Sequence, residues 1–119
     1  MYCYSWWIVP HNYPKIMRDY GMTHIPHITL TSNMSSPRSH RDTGKEFNIR
    51  FRGDIVPLYP EGYGVMCDID GWGAYSMTMG YRGKSDSTKN DIGFIMGIFC
   101  CADTRNPNPA KWKIMTEKV

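Results

Sequence analysis

At 119 residues and 13.8 kDa the chain has room for one hydrophobic core and not for two, so residues 1–119 are read as a single domain. Fourteen basic against eleven acidic residues leave a net charge of +3 and a pI near 8.7. That excess is too mild for the dense basic face a long duplex nucleic acid requires, and it suits a small anionic ligand better.

The opening "MYCYSWWIVP" is apolar over too few residues, and lacks the basic leader, for a signal peptide or a membrane span; "YCYSWWIV" is read as a strand. In "HNYPKIMRDYG" the period changes. Asn12 can cap, Pro14 suits a first helical turn, Gly21 suits the exit, and Tyr13, Ile16, Met17 and Tyr20 share one face, which predicts a short helix. In "THIPHITLTSNM", His27, Thr29 and Thr31 alternate with Ile28 and Leu30, the period of a half-buried strand.

The polar stretch from Asn33 to Lys45 reads as a loop carrying Arg38, His40, Arg41 and Lys45. "FNIRF" alternates as a strand, and "DIVPLY" follows with a proline that suggests a bend or an edge. "YGVMCDI" and "AYSMTMGY" flank the turn signal "DGWG" and so are neighbouring strands. A second polar stretch, "RGKSDSTKND", precedes the strand "IGFIMGIFCCA"; "DTRNPNPA" is then a hairpin-like loop before "KWKIMTE". About seven strands and one N-terminal helix predict an α+β domain with a largely antiparallel sheet. Cys3, Cys67, Cys100 and Cys101 lie in apolar runs with no metal or disulfide spacing, as reduced core residues of a cytosolic protein do.

Two strands carry a repeated pattern. "HITL" (His27, Ile28, Thr29, Leu30) and "SMTM" (Ser76, Met77, Thr78, Met79) are both polar, apolar, Thr, apolar, so in each the first and third side chains share one side of the sheet. Here the chain resembles the two-histidine (2H) phosphoesterases of LigT-like fold, which bear two His-x-Thr/Ser strands facing each other across a cleft. The resemblance implies His27 as a catalytic acid or base and Thr29, Ser76 and Thr78 as phosphate ligands. It also carries a departure, because serine stands at position 76 where the family has its second histidine.

The family's chemistry needs no metal and no cofactor, and none is expected here. Its cellular members open 2′,3′-cyclic phosphates or trim RNA ends, and its phage members cleave cyclic oligonucleotide signals of bacterial immunity. The function implied is therefore hydrolysis or binding of a cyclic nucleotide or an RNA 2′,3′-cyclic phosphate, with viral counter-defence in a host cytoplasm as one setting. Two other readings stay open: a non-enzymatic sponge for the nucleotide, and a β-rich domain that binds protein through exposed Trp6, Trp7 or Trp112. No membrane partner is expected.

Further candidates surround the motifs. His40 is a substitute acid on a basic loop, and Arg82 and Lys84 in "YRGKS" lie where a glycine lets backbone approach a phosphate, against the plainer reading of solvated charges. Trp72 and Trp112 could stack a base, though half-buried core positions are commoner for tryptophan. His24 and His27 as zinc ligands are opposed by Pro26 and by the strand pattern, which deny them the one-sided helical spacing.

Overall fold

The nearly unbroken apolar run YSWWIVP can form a strand only where both faces are covered, since successive side chains point to opposite sides. It does so as β1, Tyr4–Pro10, in a computed structural model that describes residues 4–36, 40–58, 62–80 and 94–115. Trp6 and Ile8 face the main core, while Trp7 and Val9 face a second apolar cluster on the far side. Trp6 is 5% and Trp7 1% exposed, which removes both from any protein-docking surface. The aromatic-docking reading needed those rings in solvent, and a strand covered on both sides does not leave them there.

After β1 the chain turns into α1 (Tyr13–Tyr20), then β2 (Ile28–Met34), β3 (Glu46–Pro57), β4 (Tyr63–Ile69), β5 (Gly73–Gly80), β6 (Phe94–Asp103) and β7 (Lys113–Met115). This is the α+β architecture, a single domain built mostly of antiparallel sheet with one α-helix among the described residues. The helix ends as its sequence dictates, with Gly21 in the left-handed region at φ 63 and its N–H donating to the Arg18 carbonyl. Its start departs from expectation: Asn12 makes no side-chain cap, and only its backbone carbonyl accepts, from Lys15 and Ile16.

Strand order is β2-β1-β6-β3-β4-β5, with β7 added to β6, and every pairing is antiparallel. The two ends of this order meet. His27, just before β2, bridges Thr78 of β5, and the Thr78 N–H donates to the His27 carbonyl at 2.8 Å, so the sheet curls round and closes on itself at a seam. Inside it lies the main core, with Ile8, Ile28, Ile49, Val65, Met77 and Phe99 among its buried members and Ile16 reaching in from α1. The strands crowd at Gly97, where an added Cβ would come within 2.6 Å of both Ile8 and Ile49.

"FNIRF" and the "DIVP" of "DIVPLY" are one strand, β3, with a register irregularity between Phe51 and Ile55. Its first half, Glu46–Arg50, pairs with β6, and Ile55–Pro57 pair with β4. The strand β2 runs on to Met34, so the loop expected from Asn33 begins later. No helix among the described residues is long and apolar enough to cross a membrane.

Candidate functional site

The seam brings the two repeated motifs together. Ile28, Met77 and Met79 point into the main core, so by alternation His27 and Thr29 on one strand, and Ser76 and Thr78 on the other, lie on the outer side of the sheet. His27 stands opposite Thr78, and partners across an antiparallel bridge present side chains to the same face. Carrying that register on by two residues sets Thr29 opposite Ser76.

The four differ in how far they reach solvent. Thr29 is exposed, Ser76 and Thr78 are half-buried, and His27 is 2% exposed. The expected opening of all four to a common cleft is therefore corrected at His27. Trp7, directly behind it on β1, stacks on the imidazole with ring centres 3.9 Å apart and planes 11° from parallel. Trp112 meets the same imidazole edge-on at 6.0 Å and Trp7 at 5.9 Å. Sequence reasoning missed Trp7 as a partner of His27 because the contact joins residues on neighbouring strands through a register that local periodicity does not contain.

Electrostatics follow from this burial. The Nδ1 of His27 lies 2.6 Å from the Ile25 carbonyl oxygen, and a carbonyl can only accept, so Nδ1 carries the proton and Nε2 the lone pair. Burial lowers the His27 pKa to about 4, further depressed by His24 and only partly offset by that hydrogen bond. At neutral pH the ring is uncharged, with its one proton held at Nδ1 by the Ile25 carbonyl and an acceptor lone pair at Nε2.

His24, 5% exposed, turns its Nδ1 to the same Ile25 carbonyl at 3.1 Å, and its pKa is lowered by burial against backbone hydrogen bonds to Ile25 and Met79. Two imidazoles thus converge on one carbonyl, 6.1 Å apart between ring centres. The spacing "HIPH" was the available signal for this pair, and its meaning is structural. No group of three or more His, Cys, Asp or Glu side chains that could hold a metal occurs among the described residues.

The remaining candidates divide. Trp112 joins the His27 cluster, but as a half-buried ring packed on Trp7 and not as a free stacking platform. His40 and Trp72 belong to the other side of the sheet. His40 packs on Trp6 at 5.1 Å and Phe99 at 4.6 Å, and Trp72 packs edge-on against Phe47 at 5.0 Å and Phe99 at 6.0 Å. Neither shares a face with His27, so the structure does not bring His40 to the two motifs. Arg82 and Lys84 lie outside the described residues. The thiols of Cys67 and Cys100, pushed up to about 12 by burial, are inert core groups.

Chemically, the seam offers three hydroxyls on one face with a neutral imidazole sealed behind them. Hydroxyls and a nearby backbone can donate hydrogen bonds to phosphate oxygens without carrying charge. The two imidazoles there, His27 and His24, are both buried with lowered pKa values, which disfavours the charged form needed to protonate a leaving oxygen. No protein-family model, no curated protein and no solved structure matches this chain.

Proposed function

We propose that this protein is a 2H-phosphoesterase-like binder of a small phosphodiester, either a cyclic nucleotide or the 2′,3′-cyclic phosphate end of an RNA, with slow turnover. Thr29, Ser76 and Thr78 donate to the phosphate, and His27 supplies a neutral ring behind them. The observation that carries this reading is the antiparallel bridge between His27 and Thr78, which puts the two motifs on one outer face in a twofold-like arrangement. Binding is favoured over hydrolysis because His27 is buried and uncharged and because Ser76 has no useful pKa. By the same reading the protein works in a cytoplasm, where such ligands occur, and needs no metal.

The test is a thermal-shift panel of 2′,3′-cyclic mononucleotides, cyclic dinucleotides and cyclic trinucleotides on the wild-type protein and on Thr29→Val and Thr78→Val. A ligand at 100 times its dissociation constant adds about 2.7 kcal/mol of apparent stability, several degrees for a domain of this size. One ligand class should raise the melting temperature of the wild type, and each valine, which removes a hydroxyl without changing shape greatly, should cut that rise by at least half. A panel with no shift, or valine variants that respond as the wild type does, would rule the reading out.

A further inference from the structure

Between the end of β6 and the start of β7 the chain forms a groove that none of the motif residues lines. Its volume is about 530 Å³, in the range of sites that hold nucleotide-sized ligands. Asp103, Arg105, Asn106, Pro107, Lys111 and Lys113 line it. Three cations against one carboxylate leave the groove positive, and that carboxylate is already committed. Arg105 donates to Asp103 from its backbone N–H at 3.1 Å, from Nε at 2.9 Å and from a terminal guanidinium nitrogen at 2.6 Å. Lys111 and Lys113, both exposed, come from either side of Trp112.

The wall that presents these lysines is held in shape. Asn106 Oδ1 accepts from the Asn108 N–H at 2.8 Å, Asn108 Oδ1 accepts from the Ala110 N–H at 3.0 Å, and Trp112 Nε1 donates to the Asn106 carbonyl at 2.7 Å. Pro107 and Pro109 fix two further backbone angles in the same segment. A short 3₁₀ turn over Pro109–Lys111 then feeds β7, whose half-buried Ile114 packs against the Trp7 cluster. The loop is thus anchored from beneath by Trp112 and Ile114 while its charges face outward, and little ordering entropy remains to be lost when a ligand docks.

We propose that this groove is a second anion site, which binds the phosphates of a nucleotide or of a short single strand of RNA through Lys111 and Lys113 beside the fixed Arg105–Asp103 pair. Phosphate is the shared chemistry, since ammonium groups take it as point charges and the neighbouring asparagines supply neutral donors. The inference stands apart from the phosphodiester reading of the seam, because no residue of the groove belongs to either motif.

The experiment measures binding of a fluorescently labelled single-stranded RNA and of adenosine triphosphate to the full chain, across a salt series, with inorganic tripolyphosphate as competitor. The double variant Lys111→Gln, Lys113→Gln is compared with Lys15→Gln, whose lysine pairs with Asp19 on the exposed side of α1. The expected result is a loss of about tenfold or more in affinity for the double variant alone, with its salt slope flatter by about one per lysine removed. Its melting temperature should match the wild type, and any 2′,3′-cyclic mononucleotide bound at the seam should still bind. Displacement by tripolyphosphate would identify a free phosphate chain as sufficient, and resistance to it would assign the site to the strand. Equal affinity in the double variant and the wild type, or no binding of either probe by the wild type, would overturn the proposal.

Discussion

Acidification from about pH 7 to about pH 4 is expected to strip roughly 3 kcal/mol from the folding stability, with His27 responsible for most of it. In the unfolded chain this imidazole takes up a proton near pH 6.5, and in the folded chain burial delays protonation to about 4. Between these values the unfolded state binds more protons than the native one, so stability falls as pH falls, and it levels off below the folded value. His24 acts with the same sign. The cost is high because Trp7 covers one face of the His27 ring, Trp112 approaches its edge, and its closest titratable neighbour is another imidazole, so a charge there meets no carboxylate among the described groups. The measurement is urea unfolding at a series of pH values on the wild type and on His27→Phe. Phenylalanine keeps a ring against Trp7 but leaves the Ile25 carbonyl one donor short, a constant penalty of about 1–3 kcal/mol. The variant should start lower and lose much less between pH 6.5 and pH 4.5. An undiminished slope in the variant would place the acid sensitivity elsewhere.

On the proposed phosphodiester reading, replacing Ser76 by histidine is expected to have the largest effect on rate. The register at the seam sets position 76 diagonally across from His27, and the outer face leaves the new ring directed toward the same hydroxyls. With position 76 half-buried, a histidine there would be less burdened by burial than His24 or His27 and better placed to donate a proton. An absent acid or base of this kind is worth about 10²–10⁴-fold, so hydrolysis of whichever cyclic phosphate binds should rise by up to that factor. Product formation by Ser76→His and by the double variant Ser76→His, His27→Ala distinguishes the roles. Gain in the single variant and its loss in the double would make the two imidazoles an acid/base pair. An inactive single variant with weakened binding would mean that serine is there to leave room for ligand, as a sponge requires.

Much of the fold could be read directly from local pattern. The left-handed exit at Gly21, the alternation through His27–Leu30, and the "DGWG" reversal, with Gly71 and Gly73 both at positive φ, are short-range features whose backbone needs are written in residue type. The unbroken β3 could not be seen, because Pro57 and the polar residues before Ile55 read locally as a break, while the pairing with β4 carries the strand across them. The environment of His27 was hidden for a different reason. Alternation assigns it to the outer face, and it cannot tell that Trp7, Trp112 and Ile25 bury that face again. Hence a pattern that reads as a solvent-facing imidazole produces one that is 2% exposed. The groove went unmarked because "DTRNPNPA" reads as an ordinary turn, and its charges acquire a common direction only when β7 folds back onto β6.

The most direct measurement of the central claim, that the two motifs act as one phosphate-holding face, is a heteronuclear NMR titration of the labelled protein with the best ligand of the cyclic-nucleotide panel. The expected result is joint, saturable displacement of the Thr29, Ser76 and Thr78 amide signals with one dissociation constant, while the signals of Lys111 and Lys113 stay in place. Displacement confined to one of the two motif strands, or confined to the groove, would contradict it.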